Sequence, residues 1–280
     1  MKTLNIIGAG KVGKVLAKNF LRQQQFSIKQ VMNRTMTSAS DAVAWLDAGQ
    51  AVDAIAQLQP ADMTMLSVSD DQIASVCQQL ADAGLLKAGS VVFHCSGAKA
   101  STELHAARLA GAAVASVHPV RSFANVDLLA EQFAGTICSL EGDEAALAVL
   151  APALQAIGAE TVIIQADNKL LYHAGSVFAS NYLVTLMEIA LRTYQAAGIP
   201  AEIAQKMAAP LARQTLENIF AMGTQAALTG PIARGDMQTV TLQQARLHDW
   251  DQQAGDLYQA FTQPTIDLAA ARISRPHSEK

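Results

Sequence analysis

Leu4-Asn5-Ile6-Ile7-Gly8-Ala9-Gly10-Lys11-Val12-Gly13 carries a short apolar run straight into a G-x-G-x-x-G turn. Helical spacing of apolar residues continues to about position 21, and a second apolar run at 27–32 ends in Asn33-Arg34-Thr35. Strand, glycine turn, helix and strand in that order predict the opening βαβ unit of a dinucleotide-binding fold. Gly8 would permit the tight turn, Gly10 would let the backbone approach a pyrophosphate, and Gly13 would let helix and strand pack closely. The open N–H groups of Lys11, Val12 and Gly13 at the helix N-terminus would face the phosphates.

The end of the second strand bears on which dinucleotide binds. An Asp or Glu about 20 residues past the glycines accepts the ribose 2′-hydroxyl in NAD-binding folds. Asn33 holds that slot here, followed by Arg34 and the hydroxyls of Thr35, Thr37 and Ser38. A guanidinium with short donors suits a 2′-phosphate through charge-assisted hydrogen bonds. Residues 1–40 contain Lys2, Lys11, Lys14, Lys18, Arg22, Lys29 and Arg34 and no acidic residue. Lys14, Lys18 and Arg22 read as a solvated helix face, but Arg34 stands at the cofactor end. The expected cofactor is NADP, bound by Gly8, Gly10, Lys11, Val12, Gly13, Asn33, Arg34 and Thr35, with Val68 and Ser69 skirting its ribose and phosphates.

Composition narrows the class. A chain of 280 residues that is 51% hydrophobic and 16% charged can build one large or two ordinary cores. A net charge of −4 gives no basic footprint for nucleic acid. Cys77, Cys95 and Cys138 are odd in number and fit no metal pattern, so they read as buried hydrophobes in a reducing cytoplasm, and no metal site is expected. The most apolar segment, 170–197, is interrupted by Tyr172, His173, Asn181, Glu188 and Arg192 and reads as no membrane span.

Farther along, helices are expected at 40–48, 51–57, 71–80, 101–110 and 143–157, and strands at 62–68, 90–95, 113–117, 136–140 and 161–164. That alternation predicts a doubly wound, mostly parallel α/β sheet with helices on both faces. From 167 only helical periodicity remains, at 167–197, 201–221 and 239–271. The first of these has Asp167 as its expected N-cap and would run about 45 Å. The predicted domains are 1–166, a dinucleotide-binding α/β domain, and 167–280, an all-α substrate and dimerisation domain. Residues 275–280 form a polar tail expected to fray.

Ligands of open α/β sheets bind beyond the carboxyl ends of the strands. Three such ends carry Val68-Ser69-Asp70, Ser96-Gly97-Ala98 and His118-Pro119. Ser96 could face a substrate carboxylate or oxyanion, and His118 could orient substrate or donate a proton; each could equally serve an ordinary turn. On the long helix, Lys169, Ser176 and Ser180 share one direction with His173 close by, a polar stripe confined to the first turns. Buried Lys and His are costly without partners, so an inward stripe marks a candidate proton-transfer site. Arg234, in the turn-rich loop 228–236, could reach a substrate, a partner, or only Asp236.

Gly8 to Gly13, 31–35, 94–98, His118-Pro119, 172–183 and 229–236 together resemble the 6-phosphogluconate dehydrogenase-like oxidoreductases. Within them, the nearest resemblance is to Rossmann-like proteins carrying a C-terminal domain of unknown function, number 2520. The resemblance implies hydride transfer and a homodimer paired through the C-terminal helices. In the related hydroxyacid dehydrogenases a Lys and an Asn four residues later face the nicotinamide. Lys169 matches the first, whereas His173 holds the Asn position. The expected protein is a cytoplasmic NADP(H)-dependent oxidoreductase acting on a small polar, anionic carbonyl, hydroxyl or imine compound, with Lys169, His173, Ser96 and His118 as catalytic candidates. The alternatives are a non-catalytic NADP-binding sensor and a deazaflavin-linked NADP oxidoreductase. No nucleic-acid or membrane partner is expected.

Overall fold

The computed structural model describes residues 1–273, so the tail at 275–280 lies outside the described part. Contacts divide the chain into two compact units, Met1–Ser180 and residues 181 onward.

The first unit is one eight-stranded sheet. Its strands are β1 (Lys2–Ile7), β2 (Phe26–Met32), β3 (Gln50–Val52), β4 (Met63–Leu66), β5 (Val91–His94), β6 (Ala113–Pro119), β7 (Ile137–Gly142) and β8 (Glu160–Ile163), in the order β3-β2-β1-β4-β5-β6-β7-β8. All neighbours pair in parallel except β6 and β7. The order reverses between β1 and β4, which places the switch point beside the glycine turn.

Helices cover both faces: α1 (Lys11–Arg22), α2 (Met36–Leu46), α3 (Ile73–Asp82), α4 (His105–Leu109), α5 (Val126–Glu131), α6 (Glu144–Ala156) and α7 (Lys169–Ala179). Two apolar clusters lie on opposite faces of the sheet. One includes Leu4, Ile6, Leu16, Phe20, Met65, Phe93 and Leu140, and the other Ile7, Leu66, Ile73, Leu80, Val92 and Leu104. Central strands buried on both faces explain their continuous apolar sequences.

Five local expectations need correction, four of them in the first 180 residues and at their end. Residues 50–52 form β3 rather than a helix, because the strand extends the hydrogen bonding of β2 through Gln30 to Met32. The run 101–110 is a 3-10 turn (Ser101–Leu104) followed by α4 rather than one helix. The helix expected over 167–197 breaks at Ser180 (φ −128°, ψ −71°), giving α7 and then α8 (Asn181–Ala196). Ser and Asn hydrogen-bond locally and compete with helix, and they meet at this junction. Asp167 lies in a 3-10 turn (Ala166–Asn168) ahead of α7, whose N-cap position falls to Asn168.

By length and composition the stretch Ala166–Ala196 could cross a membrane, yet Lys169 within it is buried inside the first unit. The second unit holds α8, α9 (Ala201–Met222), α10 (Thr224–Ala227), α11 (Met237–Trp250) and α12 (Gln252–Ile273). Asp251, in an extended conformation, divides the run expected at 239–271.

Candidate active site

The three glycines of the first turn differ in what demands them. Gly8 has φ +85°, and a Cβ there would stand 2.7 Å from Ser67 O and 2.8 Å from Val68 Cγ1. A Cβ on Gly13 would lie 3.0 Å from Gly8 O and 3.1 Å from Ser67 Cβ. Both serve the fold, one through backbone conformation and one through close helix–strand approach. Gly10 is unlike them, because a Cβ there would meet nothing within 4 Å. It is the N-cap residue of α1 and offers no side chain to the first-turn N–H groups, and the space beside it is open. Such a cradle, at the switch point of the sheet, fits the diphosphate of a dinucleotide.

Asn33 has a different role from the reader of a ribose. Its Oδ1 accepts from Ala9 N at 2.7 Å, and its Nδ2 donates to Ser38 O at 2.8 Å and Ser38 Oγ at 2.9 Å. The amide clamps the glycine turn to the start of α2, with both Nδ2 protons and one Oδ1 lone pair engaged. Thr35 caps α2 by accepting from Ser38 N, and Arg34 between them is exposed with no hydrogen bond or ion pair among the described residues. Lys11 at the head of α1 donates to Ala124 O at 3.3 Å. Val68 borders Gly8, and exposed Ser69 precedes the 3-10 turn ahead of α3 without a capping side-chain hydrogen bond.

At the carboxyl ends of β5 and β6 the same unit gathers a polar cluster. Lys169, only 1% exposed, donates from Nζ to Ser96 O at 3.2 Å and to Ser116 Oγ, and Ser116 Oγ also donates to Ser96 O at 3.2 Å. Burial lowers the Lys169 pKa, opposed by the buried carboxylate of Glu141 and by Asp70. The Ser96 hydroxyl accepts from Ala98 N at 3.1 Å and Lys99 N at 2.9 Å, which turns the loop after β5. Of the two readings of Ser96, the side chain follows the turn.

Three imidazoles surround this loop. His94 is fully buried; its Nε2 donates to Ala100 O at 3.0 Å and its Nδ1 accepts from Ser96 N at 3.2 Å, which defines a neutral ring. Burial holds its pKa down at about 4. His118 is also pushed down to about 4, by burial first and then by His173 and Lys169. Its Nδ1 lies 2.7 Å from the Tyr172 hydroxyl, whose own pKa burial raises. His118 and His173 meet edge to face with centroids 5.6 Å apart. Both press on Gly97, where a Cβ would stand 2.5 Å from His173 Nδ1 and 2.8 Å from His118 Nε2.

The polar stripe of α7 is therefore inward at Lys169 and His173, half-buried at Ser176, and exposed at Ser180, where the helix breaks. Tyr172, His94 and Ser116 escaped the sequence reading as site residues. Tyr172 pairs with a residue 54 positions away, and nothing in local spacing encodes such a contact.

A Rossmann-like domain matches residues 2–119, and the domain of unknown function DUF2520 matches 136–265. The chain is a Rossmann-like protein with a DUF2520 domain. The first match supplies Gly97 and His118, and the second supplies Lys169, Tyr172 and His173, so the cluster is assembled from both. Protein TM1727 from Thermotoga maritima is similar over 96% of this chain and 99% of its own, at 24% identity and a TM-score of 0.73. Protein BF3122 from Bacteroides fragilis is similar over 95% of this chain and 98% of its own, at 20% identity and a TM-score of 0.75. An imine reductase from Myxococcus stipitatus, in complex with NADP+, has 17% identity, covers 98% of this chain and 95% of its own, and has a TM-score of 0.62. These likenesses establish the fold. No curated protein matches the sequence.

Within the second unit, an apolar cavity of about 800 Å³ is lined by residues including Leu186, Tyr194, Trp250, Tyr258 and Phe261. Its Tyr258 hydroxyl is already spent on Gln243 at 2.7 Å. In the loop 228–236, the Asp236 side chain accepts from Thr239 N and Thr239 Oγ1 and so caps α11 rather than holding Arg234. Cys77, Cys95 and Cys138 are free, and no cluster of three metal-ligating side chains occurs among the described residues.

Proposed function

We propose that the protein is an NADP(H)-dependent oxidoreductase for a small polar carbonyl or hydroxyl compound. One observation carries this reading. A sheet whose switch point bears an uncapped glycine turn also gathers Lys169, His118, Tyr172 and His173 at its carboxyl edge. A simple nucleotide-binding domain has no need of a buried lysine beside packed imidazoles. When bound, a reduced nicotinamide supplies a hydride, so the chain itself must bind, orient and move a proton.

The first-turn N–H groups of α1 would hold the diphosphate, with Gly10 leaving room for it. Exposed Arg34, next to the N-terminus of α2, would pair with the 2′-phosphate of NADP, and Asn33 would keep that loop in place. Arg34→Ala is expected to weaken NADPH binding by about 10- to 100-fold, as loss of a charge-assisted contact does, and to leave NADH binding unchanged. Isothermal titration calorimetry with both cofactors tests this. Equal losses for the two, or none for either, would contradict the assignment.

The second unit leaves Val184, Leu211 and Phe220 exposed at 70%, 61% and 85%. Apolar side chains in that number suit burial by a second copy of the chain. Sedimentation equilibrium is expected to give twice the mass of one chain, and a monomer at micromolar concentration would refute the pairing.

A further inference from the structure

The proton step at this site has five obvious candidates, and hydrogen bonding separates them. Lys169 is sealed beneath the loop after β5, held by Ser96 O and Ser116 Oγ. To reach a substrate it would have to leave both partners. The Ser96 hydroxyl is engaged by two backbone N–H groups. His94 has both ring nitrogens bonded and is fully buried. His173 turns its Nδ1 toward Gly97, where that atom is sealed from solvent and has no hydrogen-bond partner.

His118 and His173 both keep an Nε2 outside the sealed atoms, but only His118 has a partner that orients its ring. It stands at the end of β6 and its ring is partly exposed. Its Nδ1 is held by the Tyr172 hydroxyl, whereas its Nε2 makes no hydrogen bond among the described residues and is not among the sealed atoms. With the phenol as donor to Nδ1, the ring proton sits on Nε2, and this direction is the one the proposal takes.

Resting on the proposed oxidoreductase reading, the geometry points to His118 as the catalytic acid, held by Tyr172, with Lys169 as a positioning residue that fixes the loop carrying Gly97. In the reducing direction, a bound reduced nicotinamide would supply the hydride that makes the new C–H bond at the carbonyl carbon. The π pair of C=O moves onto oxygen, and that oxygen takes the His118 Nε2 proton. The Tyr172 O–H proton passes to Nδ1, leaving a phenolate that solvent reprotonates. The carbonyl is reduced to an alcohol and the nicotinamide is oxidised. Oxidation of an alcohol runs the same transfers backwards.

A substrate class follows. A neutral imidazole backed by a phenol serves an oxygen that becomes negative as it is reduced, as neutral histidine does in other enzymes. An iminium ion already carries its proton and gains nothing from such an acid. The titratable groups that act on His118 are His173, buried Lys169 and Asp70. The Lys169 ammonium beneath the loop disfavours a cationic substrate and favours an oxyanion. The site is assigned to carbonyl and alcohol compounds rather than to preformed iminium ions.

Two readouts on the full-length protein test this. The first needs no substrate: ¹⁵N NMR of histidine-labelled protein reports the tautomer. The wild type is expected to show His118 protonated on Nε2 alone from pH 8 to pH 5, and Tyr172→Phe is expected to redistribute the proton between the two nitrogens. A wild-type His118 protonated on Nδ1, or a tautomer indifferent to Tyr172→Phe, would overturn the assignment even in an active enzyme. The second readout is NADPH oxidation with panels of 2-oxoacids, aldehydes and cyclic imines. Tyr172→Phe and His118→Gln are each expected to lower kcat about 100-fold with KM for NADPH unchanged, and the double variant to be no slower than His118→Gln. Lys169→Met is expected to lose less than either. Imine turnover insensitive to Tyr172→Phe, or loss confined to Lys169→Met, would overturn the inference. A wild type that consumes NADPH with no compound would instead remove the oxidoreductase reading on which it rests.

Discussion

Gly97→Ala is expected to lower NADPH-dependent turnover by at least 100-fold, reduce stability by about 1–3 kcal/mol, and spare cofactor binding. The backbone at 97 accepts an alanine, so the whole effect comes from space. The added methyl would stand 2.5 Å from His173 Nδ1 and 2.8 Å from His118 Cε1 and Nε2. Neither ring can yield without a loss. His118 is tied to Tyr172, and His173 is fixed on α7 one turn beyond the buried Lys169. If either imidazole swings aside, the proton donor leaves its place, whereas the glycine turn after β1 is untouched. Steady-state kinetics with calorimetric NADPH titration separates these effects. Full turnover in the variant would show that the rings are not held against Gly97.

Stability is expected to fall steeply between pH 6.5 and pH 4, well before the carboxylates titrate. His94 and His118 are held neutral inside the fold with pKa values of about 4, whereas in the unfolded chain they titrate near 6.5. Below pH 6.5 the unfolded chain takes up protons that the fold refuses, so each ring's contribution is complete above 6.5 and is lost as pH approaches 4. At about 1.4 kcal/mol per pKa unit, His94 accounts for about 3 kcal/mol, and His118, which keeps some solvent contact, for less. Asp62, Asp236 and Asp251 are held below their usual value by hydrogen bonds, so their losses begin only below about pH 4. Urea denaturation at pH 7, 6, 5 and 4.5 measures the slope, and His94→Gln is expected to flatten it by about half. Equal stability at pH 7 and pH 4.5 would show that the buried rings are not neutral.

The parts of the fold legible in the sequence are those written in local chemistry. Gly8, Gly10 and Gly13 encode the turn because each meets a different local demand, and alternating apolar runs encode the sheet. The antiparallel direction of β7 is invisible at that level, since residue pattern fixes which face a strand buries and not its polarity. The break at Ser180 was hidden because apolar spacing continues across it, although the Ser180-Asn181 pair is a local signal for one. At the site, the stripe of α7 correctly marks Lys169 and His173 as inward-facing. Helical spacing shows only that a side chain is buried, not what it holds. Ser96 O and Ser116 come from the loop after β5 and from β6, 73 and 53 positions earlier. Asn33 shows the same limit, since its position suggested a ribose reader while its amide binds Ala9 and Ser38.

The central claim is that this chain couples a dinucleotide site to proton transfer at His118 and is not a passive binder of NADP. The most direct measurement is NADPH oxidation by the purified full-length protein across a panel of small carbonyl compounds, with cofactor affinity determined in parallel. The account predicts tight NADPH binding and turnover of at least one carbonyl compound, lost in His118→Gln with the affinity retained. Tight binding without turnover of any compound would contradict it.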